Sequence, residues 1–311
     1  MLTILSSMDN PLVTVLCLTY NQAGLIRDAL EGFVAQRAPF RFEVLVHDDA
    51  STDGTAEIVR EYQARYPELI RGVFQTENQT SKGIAVSRAF LYPLIRGRFV
   101  ALCEGDDWWT DPDKLCKQVE ALRAHPEADI CAHRTLCLRD GQPHGYQAPR
   151  LRDCVIPAEE VILGGGNFVA TSSLMCRLEA YMRQTPMRDV LVNDYVLQIQ
   201  GSLRGGMVYL DDCMSVYRTG IPGSWTSLNG KWLSDEVRAE LKRMLDALDG
   251  YTGGRCHRAV ALRKRLFDSN GLLARRQYAA MLAPGEIGIT LHRLRRDAAR
   301  AFRNLILRYR K

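Results

Sequence analysis

The sequence predicts an α/β protein: a doubly wound, mostly parallel sheet with helices on both faces, followed by a helical C-terminal extension. Three observations carry this. Short apolar runs of the kind buried on both faces alternate with amphipathic helical stretches as far as Cys103. Chemistry-bearing polar residues fall just past the C-terminal ends of those runs, the edge at which open parallel sheets bind ligands. After about residue 229 helical periodicity takes over.

The first predicted strand is Leu12 to Leu18, closed by Thr19-Tyr20-Asn21. A helix follows with Ile26, Ala29, Leu30, Phe33 and Val34 on one face. Phe42 to Val46 is the second strand and runs into His47-Asp48-Asp49-Ala50-Ser51-Thr52-Asp53-Gly54-Thr55, a polar turn that opens a helix with Ile58, Val59 and Tyr62 inward. A weaker strand lies at Ile70 to Phe74, a helix at Gly83 to Leu94, and the next strand at Phe99 to Cys103. Such alternation implies right-handed crossovers in a parallel sheet. A helix is then expected from Asp111 as N-cap and Pro112 as first helical residue, with Leu115, Val119 and Leu122 inward. Arg139 to Pro157 reads as a loop, and Gly164-Gly165-Gly166 as a weak phosphate-loop candidate. The extension contains helices at Lys231 to Leu248, Val260 to Phe267 and Ile287 to Tyr309.

The stretch around which the chain is organised is Phe99 to Lys114. Just past its strand, Glu104, Asp106 and Asp107 stand within four positions. Carboxylates this close repel one another, and a divalent cation removes the cost. All-oxygen donors suit Mg²⁺ or Mn²⁺, and these in turn suit a phosphate-bearing substrate. Tyr20, Asp49 and Lys82 fall at the same edge of the predicted sheet. There is no G-x-G-x-x-G after the first strand and no G-x-x-x-x-G-K-[ST] anywhere, which disfavours a dinucleotide fold and a P-loop NTPase.

Composition narrows the class further. The 311 residues carry a net charge of +5 that hides an asymmetry. Residues 251–311 hold 15 Lys/Arg and 3 Asp/Glu, a balance of +12, against −7 for the first 250. No apolar run approaches the roughly 20 residues of a membrane span, and the first ten residues lack the pattern of a signal peptide. Nine cysteines are scattered without a C-x-x-C pair, the usage expected of free thiols in a reducing cytoplasm. The final helix aligns Ile287, Leu291, Leu294, Ala298, Phe302, Leu305 and Tyr309 on one stripe, with Arg293, Arg296, Arg300 and Arg303 off it. Two arrangements compete. The stripe either contacts an anionic membrane surface through Ile287 to Lys311, or docks on the α/β domain of this chain or of a second copy, with its arginines in solvent.

Several ordered motifs resemble family 2 glycosyltransferases of the GT-A fold, of the bacterial polysaccharide and glycoconjugate type. They are Val13 to Asn21, Val46 to Thr55, Glu104 to Leu115, Asn167 to Arg177, Val192-Asn193-Asp194-Tyr195, and Val216-Tyr217-Arg218 with Gly223-Ser224-Trp225. The resemblance spans about residues 11–228 and implies a catalytic domain over 1–228 with an extension over 229–311. Two departures stand out: the acidic triplet begins with Glu104 rather than Asp, and Gly220 occupies a position where many members have His.

The resemblance implies a metal-dependent, inverting sugar transfer from a nucleoside-diphosphate donor, expected to be a UDP-sugar, to a saccharide or lipid-linked saccharide hydroxyl. Asp106, assisted by Asp107 or Glu104, would hold Mn²⁺ or Mg²⁺. Thr19, Tyr20, Asn21, Asp49, Lys82, Arg88, Glu104 and Asp106 would meet the donor nucleotide, Tyr20 bordering the base and Asp49 accepting from a uracil N3–H. Asp194 would be the base that takes the acceptor proton. Trp109, Ser172, Ser173, Asn193 and Trp225 would lie on the acceptor side. The expected location is cytoplasmic, peripheral on the inner membrane face, with no nucleic-acid partner. A sugar nucleotidyltransferase and an inactive nucleotide-sugar-binding module are the competing readings. The first lacks its usual Gly-rich phosphate loop, and the second should have lost Asp49, Asp106 or Asp194.

Overall fold

The structure, a computed structural model, describes residues 10–188, 193–221 and 234–309. The chain opens as expected: β1 (Val13–Thr19), α1 (Ile26–Val34), β2 (Phe42–Asp48), α2 (Thr55–Arg65), β3 (Ile70–Phe74) and β4 (Phe99–Leu102). β3, β2, β1 and β4 lie side by side in that order, all parallel. Beyond them come β5 (Trp108–Trp109), α3 (Lys114–Ala124), β6 (Ile130–Arg139), β7 (Gln142–Gln147), β8 (Cys154–Ile156) and α4 (Ala158–Gly164). Next are β9 (Met175–Arg177), α5 (Leu178–Met182), α6 (Asn193–Ser202) and β10 (Met207–Thr219). β9 bridges β4 and β6 antiparallel, while β6 and β10 are parallel, so one mixed sheet runs through the molecule. The extension is α7 (Asp235–Tyr251), α8 (His257–Ala274), α9 (Tyr278–Met281) and α10 (Ile287–Tyr309).

Alternation along the strands divides the core between the sheet's two faces. Val13, Val15 and Cys17 of β1 meet Ile26, Leu30 and Phe33 of α1 and Leu115, Val119 and Leu122 of α3. Leu16, between them in sequence, belongs to the opposite layer with Val196 and Ile199 of α6. That second layer also takes in Leu241, Leu245 and Leu248 of α7 and Val260 and Phe267 of α8. The helices after residue 234 therefore share a core with the sheet. The expected division at residue 228 lies outside the described residues.

Four local expectations are corrected. The stretch 139–157 is largely strand: Asp140 and Gly141 both adopt positive φ (51° and 73°), the geometry of a tight two-residue hairpin turn joining β6 to β7. β7 reads as a loop in sequence because it is a polar edge strand that tolerates Pro143. Gly83 to Leu94 is not one regular α-helix: its helical part is confined to Ser87–Leu91, wound wider than an α-helix, and Tyr92–Leu94, wound tighter, with Thr80–Lys82 a separate turn ahead of it. Pro93 lacks the N–H that would continue an α-helix through it. α3 begins at Lys114, because Asp111 Oδ1 accepts the Asp113 N–H (2.8 Å) in a turn ahead of the helix. The glycines at 164–166 make no phosphate loop. Gly165 has φ 81° and ψ −177°, a region essentially restricted to glycine, and the space a Cβ would need is filled by the guanidinium of Arg263.

Candidate active site

The site lies past the C-terminal ends of β1, β2 and β4. The loops after β1 and β2 are tied together by short polar side chains. Asn21 Oδ1 accepts the Thr52 N–H (2.8 Å) and Ser51 Oγ accepts the Asn21 N–H (2.9 Å). Asp53 receives the Ala23 N–H (2.9 Å) on Oδ2 and the Thr55 hydroxyl (2.6 Å) on Oδ1. Thr55 Oγ1 in turn accepts the Gln22 N–H (2.8 Å). Ser51, Asp53 and Thr55, at alternate positions, together satisfy backbone donors that neither loop pairs by itself. Asp49 is buried, and its two oxygens accept the backbone N–H groups of Gln79 (2.8 Å) and Thr80 (3.0 Å). It therefore anchors the 78–82 segment beside the loop. A carboxylate has about four acceptor positions, so these bonds leave capacity for another donor.

The acidic turn between β4 and β5 is pressed against the β1 loop. Gly105 donates its N–H to the Leu18 carbonyl (2.9 Å), and a Cβ there would lie 2.5 Å from Gln22 Oε1 and 2.8 Å from Thr19 Oγ1, so any larger residue would have to push these side chains aside. The Asp107 N–H closes the turn onto the Glu104 carbonyl (3.1 Å). Asp107 is fully buried, and its Oδ1 accepts the Arg218 N–H (2.9 Å). The Arg218 side chain donates to the Asp106 carbonyl (2.7 Å), pairs with Asp28 of α1 and stacks over the Trp108 ring (4.0 Å). Arg218 at the end of β10 thereby holds the acidic turn from one side. A cavity of about 240 Å³ opens next to it, lined by Leu25, Leu138 and Thr219 among others.

Burial pushes every carboxyl of this group toward protonation. Glu104 is raised to about 8, first by burial and then by the charges of Asp106 and Asp194. Asp106 is raised by burial, with Arg218 opposing. Asp107 is pushed well above its ordinary value by burial and by Asp106. Asp194, in the first turn of α6, is raised to about 6 by burial, while the Tyr195 N–H on its Oδ1 (2.7 Å) opposes the shift. Asp194 is the weakest of the three influences on Glu104, and its own shift comes from burial and backbone bonds.

Among the described residues, no three His, Cys, Asp or Glu side chains form a ready-made metal cluster. The donors suit an open site better. Mg²⁺ and Mn²⁺ are commonly held by one or two carboxylates with substrate phosphate oxygens supplying the rest. Glu104 and Asp106, carboxyls whose ionised forms their surroundings disfavour, fit that requirement.

The profile of Glycosyl transferase family 2 matches residues 14–156. An uncharacterized protein of Mycobacterium tuberculosis is 36% identical over 252 residues, 77% of this chain and 69% of its own length. The chain belongs to glycosyl transferase family 2. A second relative is TuaG of Bacillus subtilis, whose name places it in teichuronic acid biosynthesis. It is 35% identical over 133 residues, 43% of this chain and 50% of its own. Among solved structures, S. aureus TarS in complex with UDP-GlcNAc has a TM-score of 0.63 at 15% identity, over 88% of this chain and 76% of that one. The mannosyltransferase PcManGT from Pyrobaculum calidifontis, solved with GDP-Man and Mn²⁺, has a TM-score of 0.54 at 20% identity, over 95% and 87%. These similarities confirm the expected α/β fold with its helical C-terminal region.

The glycosyltransferase brings together some of the predicted site residues and withdraws others. Tyr20 is exposed at the rim, while Thr19 is buried, its hydroxyl donating to Gln22 Oε1 (2.8 Å). Asn21 is occupied by the loop contacts already described. Lys82 is an exposed ion pair with Glu77. Arg88 donates to the Arg188 carbonyl (3.1 Å), at the border of the segment that leads to Asp194.

Three acceptor-side expectations are overturned by burial. Trp109 is only 3% exposed: its ring meets Phe33 edge-on (4.9 Å), carries the Lys114 amine over its face (4.0 Å), and its Nε1–H donates to the Ser172 carbonyl (3.0 Å). No face is left for a sugar. Ser172 and Ser173 are also fully buried, Ser172 Oγ bonding Ser215 Oγ (3.3 Å) and Ser173 Oγ donating to the Ala170 carbonyl (2.7 Å). Trp225 and the Asn193 side chain lie outside the described residues. Arg218 and Asp28 are absent from the sequence-derived site. Tyr217-Arg218 signals a motif, but only the fold shows what the guanidinium clamps.

Proposed function

We propose that this glycosyltransferase moves a sugar, with inversion, from a nucleoside-diphosphate donor to a saccharide or lipid-linked saccharide hydroxyl in surface polysaccharide or glycoconjugate synthesis. The donor is expected to be a UDP-sugar. The observation that carries the reading is the acidic turn of Glu104, Asp106 and Asp107 just past β4, held by Arg218, with Asp194 at the first turn of α6 as a separate carboxyl to take a proton.

In this reading Asp194 accepts the proton of the acceptor hydroxyl as its oxygen bonds to the anomeric carbon. The bond from that carbon to the diphosphate oxygen breaks, and the diphosphate leaves with the electron pair. Asp106, with Glu104 or Asp107, would hold Mn²⁺ or Mg²⁺. When bound, the ion offsets charge on the diphosphate. Tyr20 borders the base, and Asp49 keeps the 78–82 wall of the nucleotide site in place while retaining acceptor capacity. Arg218 fixes the acidic turn and adds a positive charge beside it. Two relatives with known ligands favour a nucleotide sugar: the TarS structure holds UDP-GlcNAc, and the PcManGT structure holds GDP-Man with Mn²⁺. The scattered cysteines support a reducing compartment, with the protein peripheral on the inner membrane face. Among the described residues no helix is long and apolar enough to cross a membrane.

The test is a panel of UDP-, GDP- and TDP-sugars, scored by release of nucleoside diphosphate with and without EDTA. Turnover of one donor that EDTA abolishes and Mn²⁺ or Mg²⁺ restores is expected. Full turnover in EDTA would refute the metal assignment, and no turnover of any nucleotide sugar would refute the donor class.

A further inference from the structure

Helix α10 is held to the body by its arginine side. Arg296 donates to the Gly164 carbonyl (3.4 Å), Arg303 Nε to the Ala148 carbonyl (3.0 Å), and Asn304 Oδ1 accepts the Tyr146 N–H (2.8 Å). Ile289, Thr290 and Leu307 bury themselves on the same side. This reverses the docked arrangement expected from sequence, in which the apolar stripe faces the protein. The stripe faces out: Ile287, Leu291, Leu294, Phe302, Leu305 and Tyr309 are each 44–81% exposed. Tyr278 and Leu282, just ahead of the helix, are 57% and 61% exposed. So long an apolar face left in water marks an interaction surface.

Two features decide what covers it. The stripe positions 287, 291, 294, 298, 302, 305 and 309 follow an 11-residue repeat, close to the natural period of the helix. They therefore form a straight band, about 34 Å long at 1.5 Å per residue, suited to a flat surface. Charge decides the rest. Arg295 and Arg308 are exposed on the same helix, within a region, 251–311, that carries +12. Two copies meeting through this face would set like charge against like charge, whereas anionic lipid would neutralise it. We propose that the outward face of α10 lies in the headgroup region of an anionic bilayer, with the acidic body directed away from the surface. The consequence for a lipid-linked acceptor rests on the transfer reading above; the binding itself does not.

The experiment uses the full chain and sedimentation with vesicles of phosphatidylcholine alone or with 30% phosphatidylglycerol, at low salt and at 1 M salt. The wild type is expected to pellet with the anionic vesicles at low salt and to bind about tenfold or more weakly to the neutral vesicles and in 1 M salt, where the Debye length is about 3 Å. L294E/F302E, which changes only exposed positions, should stay in solution with an unchanged melting temperature. R295E/R308E should bind about tenfold or more weakly. Wild type that stays in solution, or pellets equally with both lipids, overturns the proposal. So does a concentration-dependent dimer in analytical ultracentrifugation that L294E/F302E abolishes, which would assign the face to a second copy. Donor hydrolysis measured on the same preparations separates the two readings: vesicle binding without turnover would sink the transfer reading alone, and turnover without vesicle binding would sink this one alone.

Discussion

Replacing Asp194 by asparagine keeps the size of the side chain and removes its basicity. Burial raises the Asp194 carboxyl to about 6, so at pH 7.5 about 97% of it is ionised and able to take a proton. At pH 5 only about a tenth is ionised. The sign follows directly: the base works when deprotonated, so activity falls as pH drops through 6. Below that value kcat/KM should lose about tenfold per pH unit. The measurement is nucleoside-diphosphate release with acceptor present, at saturating Mn²⁺. A cation held by Glu104 and Asp106 would keep both ionised and so remove the competing titration of Glu104. D194N should lower kcat by about 10²- to 10⁴-fold, the usual range for general-base catalysis, and abolish the acid limb. Affinity for the nucleoside diphosphate should stay within about twofold, because uniform donor binding does not use the base. A wild-type profile that is flat from pH 5 to 8, or a D194N variant within a few-fold of wild type, would refute the assignment.

The other expectations concern neighbouring parts of the site. D106A should abolish turnover and most of the Mn²⁺ dependence of nucleoside-diphosphate affinity, read by isothermal titration. D49N leaves one of two backbone N–H groups facing an amide donor, since Asn offers a single oxygen where Asp49 uses two. It should cost about 1.5–3 kcal/mol in urea unfolding, the scale of a bond to a charged group, and weaken nucleotide binding as well. W109A should destabilise by about 3–5 kcal/mol, as for a buried aromatic; a loss of activity with unchanged stability would mean that the ring serves substrate instead of the core. G165A forces a Cβ into the Arg263 guanidinium in a backbone region reserved for glycine. A drop in the urea midpoint is expected, and an unchanged midpoint would show that Arg263 moves aside at no cost.

The sequence by itself determined the order of strands and helices in the first half, because the period of apolar residues reports which elements bury two faces and which bury one. It also located the acidic turn and the Asp194 helix, since carboxylates beyond a buried strand and at a helix start are local facts. Only the tertiary structure decided which aromatic and hydroxyl groups remain accessible. Trp109, Ser172 and Ser173 stand beside functional residues in sequence, yet they turn into the core between α1, α3 and β10, where Trp109 fills volume and its N–H finds a carbonyl. Arg218 is more than a hundred residues from the acidic turn it clamps, a distance that no local pattern crosses. Helix α10 makes the point most directly. Periodicity shows that its arginines and its apolar residues occupy opposite faces, but not which face meets the protein. The body offers the carbonyls of Ala148 and Gly164 and the N–H of Tyr146, so the arginines and Asn304 turn inward to satisfy them. The apolar stripe, on the opposite side of the helix, is then left outward.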